Sequence, residues 1–260
     1  MSHQRQAARR GAPRRGRVAT ALVGTAVVAA GLAAAVGTDA QRAGAAACAS
    51  PVRYASSSNT LYVSSGTVDL PQVKQFCPAA PLAADPAAPG TWDLRANLVV
   101  SDGATLRVRG TAAGGTVNTL RLLSRASGDP RDVVELTANY GTIELASVAV
   151  TSWDDATRAP DTDVTIPSGV EKAKGRAFVR AVSVLVDGVP RESRLDIADA
   201  DLGYLGYYAG EAYGVSYKAR GCGAGTEGQR VCDVLDVGGS QRRSRFHDNM
   251  MGTYTWARTG

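Results

Sequence analysis

Histidine is nearly absent from this chain, which contains two in 260 residues. One is His3, in a basic N-terminal segment, and the other is His247. The four cysteines are widely spaced as well, and no two of them lie within a few residues of each other. Structural zinc sites are built from cysteines and histidines at short spacings. The sequence therefore does not support a zinc site.

Several other signatures are missing. No Gly-rich phosphate loop follows a strand and opens a helix, and there is no Gly-x-Ser-x-Gly elbow. Nucleotide binding and serine-hydrolase chemistry are therefore not supported. Beyond the N-terminal segment, apolar residues also keep no helical spacing over about ten residues or more. This predicts that the rest of the chain is almost entirely β-stranded.

Positive charge is concentrated at the N-terminus. The formal net charge is +5. Six arginines fall within the first seventeen residues, namely Arg5, Arg9, Arg10, Arg14, Arg15 and Arg17. Removing these six charges takes the net charge from +5 to −1. Because the case for a nucleic-acid partner depends on this segment, we predict no such partner.

The N-terminal segment has the features of an export signal. An uncharged Ala/Val/Leu run, Val18 to Gly37, follows the arginines, and AGAAACAS offers small residues for cleavage after Ala45 or Ala47. We interpret residues 1–45 as a signal peptide and predict a secreted, extracellular protein. The alternative is a retained membrane anchor, since about twenty uncharged residues can span a bilayer. A lipidated Cys48 matches the sequence less well.

Export would place the four cysteines in an oxidising compartment, where disulfides form. Four cysteines allow three pairings. Proximity in the chain favours Cys48 with Cys77, which would hold the new N-terminus. It also favours Cys222 with Cys232, which would close the polar loop CGAGTEGQRVC.

Short strands are predicted along most of the remaining chain. NTLYVSSGTVDLPQVKQFC predicts one or two strands, and PAAPLAADPAAPG a linker or surface excursion. From Trp92 onward, apolar-polar alternation recurs in segments such as ATLRVRG, NTLRLLS and AFVRAVSVLV. We therefore divide the chain into the signal peptide, N-terminal strands with a linker at 46–91, and a strand-rich body at 92–260.

Pairs of β-favouring residues recur about every twenty residues in the C-terminal part. They are Leu195 with Ile197, Val215 with Tyr217, Leu235 with Val237, and Thr255 with Ala257. A fixed period predicts one short unit stacked on copies of itself. Hairpin signals are few, which argues against a sandwich. We predict an all-β, right-handed parallel β-helix whose rungs lie about 4.8 Å apart.

Four phrases occur in a fixed order in the strand-rich body. They are GTIELASVAVTSWDDATRAPDTD, RAFVRA, ADLGYLGYYAGEAYGVSYKARG and GSQRRSRFHDNMMGTYTWARTG. Together they resemble the secreted right-handed parallel β-helix proteins related to the mannuronan C-5 epimerases of alginate synthesis, over roughly residues 92–260. The resemblance implies an acidic polysaccharide as partner. The wider β-helix family includes epimerases, lyases, hydrolases and proteins with no known reaction.

The chain departs from those epimerases in one respect. Their Asp-Pro-His-Asp motif carries the catalytic histidine and is expected one or two rungs beyond HDNMMGTYTW, but this chain has no such motif. We therefore carry over no catalytic residue and expect a copy truncated before the motif and inactive by itself. We also expect self-association, because an open C-terminal rung would expose unpaired backbone and an apolar ladder.

Aromatic and charged residues supply the candidate site. Aromatic faces stack on sugar rings, and Lys or Arg can meet sugar carboxylates. We predict substrate contacts from Tyr207, Tyr213, Tyr217, Lys218, Arg245, His247, Tyr254 and Trp256. Alternation is expected to place Tyr213 and Tyr217 on one face of their strand and Val215 on the other.

Simpler roles remain open for these residues. The rings could pack in ladders inside the solenoid, the cations could be solvated, and His247 could be a solvated turn residue. The alternative function is a non-catalytic glycan-binding or structural β-solenoid.

Acidic clusters are the only other candidate for a cofactor site. Two runs stand out, Asp196, Asp199 and Asp201 in one and Asp154, Asp155, Asp161 and Asp163 in the other. Calcium binds oxygen-rich clusters of this kind. Neither run follows a full calcium-loop pattern. We predict no cofactor, with calcium as the alternative.

Overall fold

The computed structural model describes residues 48–124, 133–163 and 175–257. The predicted signal peptide lies outside the described residues, as do Arg258 and the middle of the loop that follows Trp153. No helix among the described residues is long and apolar enough to cross a membrane.

The described strands form three sheets. Across the first sheet the order is β1 (Val52–Ala55), β2 (Thr60–Val63), β6 (Asn97–Val100), β9 (Glu135–Asn139), β13 (Phe178–Val186), β17 (Gly214–Ala219) and β20 (Met251–Trp256), with β14 (Val189–Arg191) beside β13. Only the pairs β1–β2 and β13–β14 of this sheet are antiparallel.

The other two sheets have the same layered order. The second contains β3 (Thr67–Asp69), β7 (Thr105–Arg109), β10 (Thr142–Ala146), β15 (Arg194–Ala198) and β18 (Gly238–Arg242). The third contains β4 (Leu82–Ala84), β5 (Thr91–Leu94), β8 (Thr119–Leu123), β11 (Ala149–Asp154), β16 (Asp201–Gly203) and β19 (Arg245–His247), with β12 (Ala159–Pro160) beside β11.

The chain visits the first, second and third sheets in turn and then returns to the first. Each return adds a parallel strand to the same sheet, which is the architecture of a parallel β-helix. Inward side chains stack in ladders along the axis. One ladder joins Leu61, Leu98, Leu136, Val179 and Val215, all of them fully buried. The predicted all-β parallel β-helix is confirmed.

The predicted repeat of about twenty residues is wrong as a stacking period. Side chains that stack on successive rungs are 37 residues apart for Arg107 and Glu144 and 44 apart for Asp196 and Ser240. The shorter spacing joins strands on different sheets, because β15 belongs to the second sheet and β17 to the first. A turn of the solenoid contains one strand from each sheet and the corners between them, so its length exceeds the spacing between neighbouring strands.

Among the described residues, two α-helices interrupt the strands, although the sequence pattern predicted none. Helix α1 (Leu70–Phe76) begins with a capping box between Asp69 and Gln72. Helix α2 (Gly225–Val234) occupies the segment that was predicted to be a polar loop. Both are short, so neither shows an apolar period over enough residues to be recognised.

Both of the disulfides favoured by proximity are present. Cys48 is bonded to Cys77, just beyond α1, and Cys222 is bonded to Cys232, within α2. Such bonds are typical of oxidising compartments.

The last described strands carry polar side chains at the end where an apolar ladder is predicted. Gly239, Gln241, Thr253 and Thr255 line a cavity of about 340 Å³ together with Tyr217. The Thr253 hydroxyl donates to Gln241 Oε1 at 3.3 Å. Val237 lines the same cavity, so polar and apolar side chains share the last described rung. Self-association stays a prediction.

Candidate functional site

Four aromatic rings form a continuous row, two of them from the loop before β17 and two from β20. Ring centroids are 6.3 Å apart for Tyr208 and Tyr213, 4.8 Å for Tyr213 and Tyr254, and 6.4 Å for Tyr254 and Trp256. Tyr208 is 55% exposed and Trp256 47% exposed. We call Tyr208, Tyr213, Tyr254 and Trp256 the aromatic strip. Its exposed faces suit stacking against sugar rings.

The fold fixes the Trp256 end of the strip. Alternation along β20 turns Tyr254 and Trp256 to one side while Thr255, between them, lines the end cavity. Trp256 Nε1 donates to the backbone oxygen of Cys222 at 2.7 Å. Because Cys222 is tied to Cys232, the disulfide loop holds the indole in place.

Three cations converge on one carboxylate beside the strip. Glu211 lies 3.2 Å from Arg180, 2.7 Å from Lys218 and 2.9 Å from Arg220. We call Arg180, Lys218 and Arg220 the cation cluster. Arg180 also pairs with Glu135 at 2.6 Å. Three cations against two carboxylates leave the region with a net positive charge.

The strip and the cation cluster are in register. Lys218 of β17 lies directly opposite Trp256 of β20. Burial raises the pKa of the Glu211 carboxyl, but hydrogen bonds from Lys218 and Arg220 outweigh burial, and the pKa lies below its ordinary value. Glu211 is therefore ionised at neutral pH and keeps the cations in place.

Two predicted contact residues lie in the interior. Tyr207 is 8% exposed and packs against Phe178, with ring centroids 6.2 Å apart. Tyr217 is 7% exposed, and its hydroxyl donates to Leu195 O at 3.1 Å. The predicted separation of Tyr217 from Val215 is wrong, because residues two apart on a strand share a face. We exclude Tyr207 and Tyr217 from the candidate site.

Burial of Tyr217 has a measurable consequence at high pH. It raises the pKa of the phenol to about 12, and the hydrogen bond from Gln241 opposes this only in part. The unfolded chain would ionise near pH 10, so between about pH 10 and 12 it releases a proton that the folded protein retains. We expect this linkage to lower the free energy of unfolding by up to about 2.7 kcal/mol across that window.

Urea unfolding at several pH values tests this expectation. Tyr217→Phe removes the titrating group, so its free energy of unfolding should fall less steeply above pH 10 than that of the wild type. At neutral pH the variant should be about 1 kcal/mol less stable, since Leu195 O and Gln241 lose a partner. Parallel curves for the two proteins would contradict the linkage.

His247 and Arg245 lie on the third sheet, apart from the aromatic strip. His247 Nε2 is 2.9 Å from Asp201 Oδ1, and Nδ1 is 2.8 Å from Asp248 Oδ2. The imidazole lies so close to Gly203 that a Cβ there would be 2.4 Å from its Cε1 atom. His247 is therefore a half-buried strand residue, and the solvated-turn alternative is wrong. Arg245 is exposed and 3.8 Å from Asp201.

The acidic run on the second and third sheets is matched by cations. Asp196 pairs with Arg194, Asp199 with Arg243, and Asp201 with Arg245. Within the described parts of the chain, no group of three or more His, Cys, Asp or Glu residues is arranged to hold a metal ion.

Sequence reasoning missed two residues of the charged region, Arg180 and Glu211. Arg180 stands at an outward position of AFVRAVSVLV, so the alternation contained the necessary signal. Glu211 lies in a loop with a positive φ of 70°. Nothing in its neighbourhood in the sequence indicates that it would meet cations from β13 and β17.

The fold and the strip define a class of protein, the parallel β-helix with an exposed aromatic row beside a positive cluster. Among solved structures, the chain is similar to the periplasmic alginate epimerase AlgG, with a TM-score of 0.55 and 18% identity. The match covers 75% of this chain and 39% of that one. Two mutants of AlgG match with a TM-score of 0.53 and the same identity.

At this identity the likeness establishes the fold alone, and the chain spans about two fifths of the length of AlgG. No protein-family model and no curated protein matches the chain.

Proposed function

We propose that this protein is exported and binds an acidic polysaccharide across the aromatic strip and the cation cluster. The observation that carries the proposal is the register of Lys218 with Trp256, which puts a cation next to a stacking ring. A uronate residue presents the same pair of features, a ring face and a carboxylate. AlgG, which has a similar fold, is an alginate epimerase, and alginate is a polymer of uronates.

We further propose that the strip binds without turnover. Removing the C-5 proton of a uronate needs a base whose pKa lies near the working pH. Glu211 is the carboxylate that binds the cation cluster, and its three cations make it a weak base. His247 belongs to the third sheet. The arrangement at the strip therefore supports recognition better than proton abstraction.

Replacing Trp256 with Ala tests the binding proposal. Loss of one stacking ring should weaken binding of an oligomannuronate about ten-fold, measured by calorimetry. Tyr62→Ala is the matched control, because Tyr62 is a half-buried ring on the outer side of the same sheet and lies under Arg53 instead of in the strip. This control should bind as the wild type does.

The same samples decide whether there is turnover. Incubation with polymannuronate in deuterated solvent, followed by NMR, should show no exchange of the C-5 proton. Exchange by the wild type would contradict the binding-only proposal. Equal affinities of the wild type and Trp256→Ala would remove the strip from the binding site.

A further inference from the structure

The cation cluster already holds a carboxylate, and the geometry shows how. The two Glu211 oxygens are divided between the cations, with Oε1 at 2.7 Å from Lys218 Nζ and Oε2 at 2.9 Å from Arg220 Nη2. Arg180 approaches Oε2 from the sheet side at 3.2 Å. The cluster is therefore a built site for a carboxylate, and the protein's own side chain occupies it.

Two of the three cations keep donors for another partner. A guanidinium has five N–H donors and an ammonium three. Within the described part of the chain, Arg220 makes a single ion pair, with Glu211, and its side chain is 53% exposed. Lys218 also pairs only with Glu211 among the described residues, and it is 24% exposed beside Trp256. A second carboxylate can approach these two from the solvent side.

Glu211 is held at this position by its loop. Its φ of 70° lies in the left-handed region, and Ala212 next to it is 2% exposed in a small cluster with Phe178 and Tyr207. The loop is thus packed against the sheet, and the Glu211 backbone cannot leave this position without moving buried residues. Any acidic ligand at Lys218 and Arg220 meets the negative charge of Glu211 as well as the positive charges.

We propose that Glu211 is a specificity-determining residue, which shares Lys218 and Arg220 with the carboxylate of an acidic sugar. Its negative charge thereby lowers the affinity for acidic sugars and leaves the affinity for neutral sugars unchanged. The inference rests on the proposed function, since it concerns the same site. Neutral sugars would stack on the strip without meeting this charge. Glu211 would therefore affect uronates alone.

Glu211→Gln tests the inference, because it keeps the shape of the side chain and removes its charge. We expect the variant to bind an oligomannuronate about ten-fold more tightly than the wild type. Its affinity for a neutral mannan oligosaccharide of the same length should not change. Glu144→Gln, on the second sheet, changes the net charge equally and is the matched control. That control should leave both affinities unchanged.

Arg220→Gln provides a second arm if Glu211→Gln does not fold. It should weaken oligomannuronate binding about ten-fold and leave the neutral sugar unaffected. Unchanged or weaker binding by folded Glu211→Gln, alongside a wild type that binds, would overturn the inference and leave the proposed function standing. Unchanged oligomannuronate binding by Arg220→Gln would likewise overturn the inference and leave the proposed function standing. A wild type that binds neither sugar would overturn both.

Discussion

Replacing Arg176 with Met is expected to lower the free energy of unfolding by about 3 to 5 kcal/mol. Arg176 is 1% exposed, and its guanidinium donates to Gly206 O at 2.8 Å, Leu205 O at 3.1 Å and Asp248 O at 3.1 Å. These carbonyls belong to the turns between the third and first sheets. One side chain therefore ties two successive corners of the solenoid together.

The cost arises from what the variant leaves behind. Met fills a similar volume but donates no hydrogen bond, so Gly206 O and Asp248 O lose the bonds from the guanidinium, whereas Leu205 O keeps the one from the Met250 N–H. Burial lowers the pKa of the Arg176 guanidinium, whereas the charges of Asp161, Asp163 and Asp248 raise it. The ordinary pKa is so high that the side chain remains charged. Removing it takes a positive charge away from the 3% exposed Asp161.

Urea unfolding of three variants separates these contributions. Arg176→Lys keeps the positive charge but loses the planar guanidinium with its several N–H donors. The stability of this variant should therefore lie between those of the wild type and Arg176→Met. Arg230→Met breaks an exposed pair with Glu227 on α2 and should change stability by less than about 0.5 kcal/mol. A loss below about 1 kcal/mol for Arg176→Met would mean that the corners do not depend on this side chain.

The sequence allowed the fold class to be predicted because alternation is a local property. Leu195 and Ile197 are both fully buried, as their pattern required. The repeat length was not predictable in the same way. The chain changes sheets at each corner, and the similar pairs on β15 and β17 belong to different ladders. Only the pairing between rungs shows which residues stack.

The candidate site was predictable in part for the same reason. Tyr254 and Trp256 stand at alternate positions of one strand and were identified from it. The ion-pair partner of Lys218 could not be identified in this way, because Glu211 reaches Lys218 from a loop with an unusual backbone angle. The burial of Tyr217 could not be predicted from its residue type either. A tyrosine side chain can line a binding groove, and it can also be buried where its hydroxyl meets a hydrogen-bond acceptor.

Gly110 lies at a close approach between two corners of successive rungs. It follows β7, and its N–H donates to Ala146 O at 2.9 Å. A Cβ at this position would be 1.9 Å from Ser147 O and 2.9 Å from Ser147 C. Both are backbone atoms, which a rotamer change cannot move away. The next corner of the chain therefore leaves no room for a side chain.

Gly110→Ala is accordingly expected to cost about 3 kcal/mol of unfolding free energy, at the upper end of the range for overpacked positions. The methyl group must push β10 and its corner away from β7, which lengthens the hydrogen bond to Ala146 and disturbs the ladders on either side. Gly223→Ala is the matched control, because a Cβ there meets no atom within 4 Å. It should be neutral or slightly stabilising. Thermal and urea unfolding should agree on this order, and equal stabilities of the two variants would show that the rungs can separate at this corner without loss.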